Sequence, residues 1–166
     1  MRPFCTSRLL LPMLAFFLVG CGVVGGSPEP TATPSQAQSL GLEVAGTYGQ
    51  LMEQMRVLVE PRQPAPEVKE ELRLLGEEYK VRFGNYACLR DTLSDADQAE
   101  VATTFDANRE TFLPEDMSWF EDAAGDYDFE DTAIRTRMED LVTLDDYAFL
   151  ERVARSRPGE EILCGG

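Results

Sequence analysis

The chain has 166 residues, with 30 acidic side chains against 15 basic ones, no histidine and a net charge of −15. A charge of that sign repels nucleic acid and anionic lipid headgroups. The lack of histidine removes Ser-His-Asp and Cys-His catalysis, the usual zinc-hydrolase ligand sets and the axial haem histidine. No glycine-rich phosphate loop occurs either, so no cofactor is expected.

Arg2 and Arg8 are the only charges before an apolar run, Leu9 to Val19, that Pro12 interrupts. The run is too short to span a bilayer, which takes about 20 residues. A basic start, a short apolar core and a small residue before the cut match a secretory signal. The segment Leu18-Val19-Gly20-Cys21 resembles the lipobox of bacterial lipoproteins.

That resemblance covers residues 1–21 alone. It implies a signal peptide over 1–20 and lipidation of Cys21 through a thioether to diacylglycerol, with palmitate-type acylation of the freed amine. Two or three acyl chains anchor stably, at about 0.8 kcal/mol per buried methylene. Gly22, where an aspartate would favour retention in the inner membrane, points to the outer membrane of a Gram-negative envelope. In other envelopes the place is the extracytoplasmic face of the cell membrane.

After Cys21, 145 residues remain, with 13 bases and 30 acids for a net −17. Residues 22–39, GVVGGSPEPTATPSQAQS, carry one charge and three prolines. That composition reads as a flexible tether behind the lipidated cysteine, so that 21–39 link the anchor to a domain over 40–166.

From Leu40 onward the apolar period is helical. Val44, Tyr48, Leu51, Met52, Met55, Leu58 and Val59 share a face, and Pro61 to Pro66 end the first helix. A second helix begins near Pro66 or Glu67. Its core face is Val68, Leu72, Leu75, Tyr79, Phe83 and Tyr86, then Leu89 or Leu93. Ser94 and Asp97 resemble a capping box for a third helix with Val101, Phe105 and Phe112, bounded by Pro114. A short segment, Glu115 to Ala124, precedes a break at Gly125 to Asp128. Ile134, Met138, Leu141 and Val142 mark another helix, and Thr143 with Asp146 is predicted to cap the last, which Pro158-Gly159 stops. With no alternating strand run and no hairpin turn, the expected fold class is all-α, a bundle of five or six helices with one disulfide behind a disordered tether.

Cys5 leaves with the signal peptide and Cys21 is used by the lipid, so Cys88 and Cys164 remain. In an exported chain such a pair is expected to be oxidised. Cys88 lies off the core stripe of the second helix, in line with Val81 and Leu74 at seven-residue steps. A C-terminal tail pinned by the disulfide is expected to cover that second stripe, placing the second helix at the centre.

Three functions from different classes fit this reading. The first is a membrane-anchored, non-enzymatic binding module of the cell envelope whose partner is a basic envelope protein. Residues 91–131 carry that idea, with 14 acids against the single base Arg109, whereas 40–90 hold eight acids and seven bases. The second is a divalent-cation site, calcium above all, with Asp122, Asp126, Asp128, Glu130 and Asp131 as candidate ligands around Gly125. An EF-hand does not fit, because the positions due for glycine and glutamate hold Asp131 and Arg137. The third is a carboxylate-dependent cell-wall hydrolase. Ala45 to Met52 faintly resembles the Gly-Leu-Met-Gln stretch of lytic transglycosylases, with the letter order wrong and no Glu-Ser pair before it. Trp119-Phe120 adds an aromatic pair, one ring expected in the core and the other packed under the acidic loop or exposed for recognition.

Overall fold

A small residue recurs every four positions along the first helix: Ala37, Gly41, Ala45 and Gly49. In the computed structural model, which describes residues 33–129, 131–160 and 162 (Asp128 by its backbone alone), that ridge decides which helix sits at the centre. Helix α1 runs Gln36–Val59, α2 Ala65–Asp91, α3 Asp95–Asn108, α4 Ser118–Asp128, α5 Thr132–Val142 and α6 Leu150–Ser156. Single 3-10 turns follow α3 (Arg109–Phe112) and α5 (Leu144–Ala148). No strand occurs among the described residues, and the all-α reading holds. Residues 1–32, Glu130, Glu161 and 163–166 lie outside the described residues. The signal peptide, the lipidation site Cys21, most of the tether, one candidate cation ligand and Cys164 fall there.

The expectation of a central α2 is corrected: α1 holds that place and packs on α2, α3, α4 and α5. The small ridge is the reason. A Cβ on Gly41 would stand 2.7 Å from both the Val101 carbonyl oxygen and Thr104 Cβ, and one on Gly49 would stand 2.2 Å from the Phe112 carbonyl oxygen. Only glycine lets α3 and the following 3-10 turn come this close to the α1 backbone. The same side of α1, beside the ridge, buries the predicted Val44, Tyr48, Leu51, Met52, Met55 and Val59. They meet Val68, Leu72, Leu75, Tyr79 and Phe83 of α2, Val101 and Phe105 of α3, and Ile134, Met138 and Leu141 of α5. The core therefore draws on every helix between residues 37 and 153, and the described residues from Thr33 onward form one compact unit around it.

Helix starts follow local capping; α3 opens at Ser94 as expected, whereas α1 and α6 begin elsewhere than the sequence reading placed them. Helix α1 begins at Gln36, four residues before the periodicity, because Ser35 and Gln38 make a reciprocal capping box. At α3, Ser94 accepts from the Asp97 amide, but the Asp97 carboxylate takes the Ser94 hydroxyl at 2.7 Å, so only half of the box forms. Thr143 caps nothing: its hydroxyl donates to the Asp140 carbonyl, a 3-10 turn intervenes, and α6 starts after Phe149. The break expected at Gly125 is also displaced. Helix α4 runs through it, since Ala123, Ala124 and Tyr127 are buried on one face and this burial outweighs the roughly 1 kcal/mol that glycine costs a helix.

Among the described residues the tail does not cover Leu74 and Val81 of the second α2 stripe. Leu74 and Val81 are 50% and 64% exposed. The tail instead follows a ridge of four-residue steps: Glu160 accepts from Lys80 at 3.0 Å and Ile162 packs on Gly84.

Candidate functional site

The acidic stretch 91–131 folds into the end of α2, α3, the 3-10 turn, the 113–117 loop and α4, and ten of its carboxylates stand outward. Asp91, Asp95, Asp97, Asp106, Glu110, Glu115, Asp116, Glu121, Asp122 and Asp126 are all exposed. Its single base is turned the other way. Arg109 donates to the Tyr48 hydroxyl at 2.8 Å and to the Val142 carbonyl at 3.3 Å, lies over the Tyr48 ring, and is 3.6 Å from Asp145. The face therefore shows carboxylates with few counter-charges. Arg152 binds Asp106, Arg62 binds Asp126 and Lys69 binds Asp131.

Asp145, in the second 3-10 turn, is only 2% exposed. Burial pushes its carboxyl up to about 6, against the opposing pull of Arg109 and with a smaller push from Asp146. Tyr48 is likewise raised by burial, with Arg109 pulling it down. No local signal in the sequence joins Arg109 to Asp145, because their meeting depends on how α3 and α5 both pack on α1.

A cleft of about 570 Å³ opens where the C-terminal end of α1 meets the start of α4. Six carboxylates line it: Glu53 and Glu60 from α1, Glu115 and Asp116 from the loop, and Asp122 and Asp126 from α4. They face two bases, Arg56 and Arg62. Arg56 is held by Glu53 and Glu60 at 2.5 and 2.7 Å. Arg62 takes a left-handed backbone, φ 52°, and reaches Asp126 at 2.6 Å. That conformation costs a non-glycine residue about 1–2 kcal/mol, and the α1–α2 turn holds it at the rim of the cleft. Trp119 also lines the cleft; its ring is buried, in edge contact with Phe120, and its Nε1 has no hydrogen-bond partner among the described residues. Phe120 is half-buried against the core, so neither ring of the pair is an exposed recognition residue.

The candidate cation ligands are not gathered. Asp122 and Asp126 share the cleft, but Asp126 is engaged by Arg62. Asp131 caps α5 through the Ala133 amide and binds Lys69, which holds its carboxyl below the usual range. Glu130 lies outside the described residues, as does the side chain of Asp128. Among the described residues no three acidic or thiol groups come together as a metal site. The Ala45 to Met52 stretch is core: Ala45, Tyr48, Leu51 and Met52 are buried, and Phe112 packs over Gly46 and Gly49.

Fold and surface together define an all-α domain whose distinctive feature is an acidic face with few counter-charges beside an acidic cleft. Comparison with known proteins finds no matching family model, no matching curated protein and no matching solved structure.

Proposed function

We propose that this chain is a lipid-anchored envelope protein whose helical domain works as a non-enzymatic binding module for a basic protein partner. The observation that carries the reading is the placement of charge on α3 and α4. Ten carboxylates of residues 91–126 stand outward while Arg109, the sole base among them, is spent on Tyr48 and Val142 inside. Such a face speeds encounter with a basic surface and repels acidic ones. The adjoining cleft offers a seat for a partner's lysine or arginine. The lipobox resemblance supplies the location, at an envelope membrane that the −17 domain would not approach unaided.

The test is retention of basic envelope proteins on the immobilised full chain. Retention should fall steeply between 0.05 and 0.5 M salt, an interval over which the Debye length shrinks from roughly 14 to 4 Å, and should be lost when Glu115 and Asp122 are changed to lysine. Retention that ignores both salt and the two changes defeats the proposal.

The Cys88–Cys164 disulfide belongs to the same proposal, and the observed tail supports it. Lys80 meets Glu160 and Gly84 meets Ile162, so two residues of tail advance with four residues of helix. Extended chain covers about 6.6 Å in two residues and a helix about 6.0 Å in four. Pairing of Cys88 with Cys164 requires this register to continue by one further step.

A further inference from the structure

Between α1 and α2 lies a second groove of about 340 Å³, which meets the acidic cleft at Glu53. Its apolar lining is Val57, Leu58, Leu74 and Leu75. Val57 and Leu74 are each at least half exposed, and Val81 continues the strip one heptad beyond Leu74. Three glutamates line the groove, Glu53, Glu71 and Glu78, with Gln54 and no base. Glu53 is held by Arg56, and Glu78 is 3.7 Å from Arg82. Arg82 itself stacks on the Tyr79 ring and reaches Gln50.

We infer that this groove docks an amphipathic helix of a partner protein, apolar on one face and flanked by lysine or arginine. Spacing supports a helix: Leu74 and Val81 are about 10 Å apart along α2, the rise between positions i and i+7 of a partner helix. Charge selects which helix. A second copy of this chain would set its own glutamate rim against this one, and an anionic bilayer would be repelled in the same way. The stretch of this chain closest in sequence, residues 22–32, has only the acidic Glu29 and brings no counter-charge. A basic partner helix satisfies both the apolar floor and the rim. The inference shares its partner class with the proposed function, but the groove shares only Glu53 with the acidic cleft, so variants confined to either surface let the two fail separately.

The experiment uses residues 33–166 and a labelled 14-residue peptide with leucines at i, i+3, i+7 and i+10 and lysines flanking them. Amide shifts in the protein should map to residues 53–58 and 71–78. Leu74→Asp, at a half-exposed position the fold does not need, should weaken binding about tenfold or more, as should the pair Glu71→Lys and Glu78→Lys. Glu115→Lys with Asp122→Lys should leave it unchanged. A scrambled peptide, or one with glutamates for lysines, should not bind. The inference is overturned if no amide shifts, if the shifts map to α3 and α4, if Leu74→Asp has no effect, or if sedimentation shows the domain dimerising through this groove.

Discussion

Replacing Asp145 by asparagine tests how the buried corner between α3, α5 and α1 is held. In the unfolded chain the carboxyl ionises near 3.8; in the fold burial raises it to about 6, with Arg109 only partly offsetting the desolvation. The folded state thus binds this proton more tightly than the unfolded one. The resulting stability is fully present below about pH 3.8 and is lost as pH rises through about 6. A difference of that size corresponds to roughly 3 kcal/mol at most. Other groups act on the same axis. Relief of the negative self-repulsion runs in the same direction. Carboxyls held low by partners, such as Asp131 beside Lys69 and Glu151 beside Arg90, run the opposite way and only in stronger acid. The difference between wild type and Asp145→Asn isolates the one residue. Urea unfolding of residues 33–166 at half-unit steps from pH 4 to 7.5 should give similar stabilities near pH 4. The variant should then gain progressively, by roughly 2–3 kcal/mol at pH 7.5. Parallel curves would refute the reasoning. A variant that falls behind at neutral pH would show that the Arg109 attraction exceeds the desolvation it offsets.

Three further outcomes are expected. Gly49→Ala would set a Cβ 2.2 Å from the Phe112 carbonyl oxygen; despite a gain of about 1 kcal/mol in helix propensity, it should lower stability by about 2 kcal/mol or more, whereas Gly125→Ala, with nothing within 4 Å, should raise the melting temperature. Cys88→Ser, or reduction of the wild type, should cost up to roughly 4–5 kcal/mol if the proposed crosslink to Cys164 forms; mass spectrometry showing two free thiols in the native chain would remove it. Cys21→Ser should release the chain from the membrane fraction and abolish labelling by radioactive palmitate, and continued labelling would refute the lipid anchor.

Much of the helical core was legible because burial follows the 3.6-residue period. Val44, Tyr48, Met52, Met55 and Val59 on α1 and Val68, Leu72, Leu75, Tyr79 and Phe83 on α2 are buried as their spacing predicts. The pattern weakens toward the end of α2, where Leu89 is 55% exposed while Arg90 is buried. There Arg90 makes a bidentate pair with Glu151 of α6 and donates to the Gln98 carbonyl. An arginine reads as surface in any periodic count, and only a carboxylate arriving from 61 residues away lets it sit inside. The Ala37, Gly41, Ala45, Gly49 ridge was present in the letters, yet small residues carry no hydrophobic signal; its meaning appears when Val101, Thr104 and Phe112 are seen against it.

Composition and spacing determined by themselves that this is a helical domain with a strongly acidic segment, because periodicity and net charge are properties of the chain taken in order. Where the charge points was decided by tertiary structure. Arg109 turns inward because Tyr48, Val142 and Asp145 converge beside it. Two of the proposed cation ligands are already occupied because Arg62 and Lys69, distant in sequence, reach them first. The α1–α2 groove, invisible as a motif, exists because the tail takes the Lys80–Gly84 ridge and leaves Leu74 and Val81 uncovered. Burial is written locally, whereas ion pairing and open surface depend on which distant segments arrive.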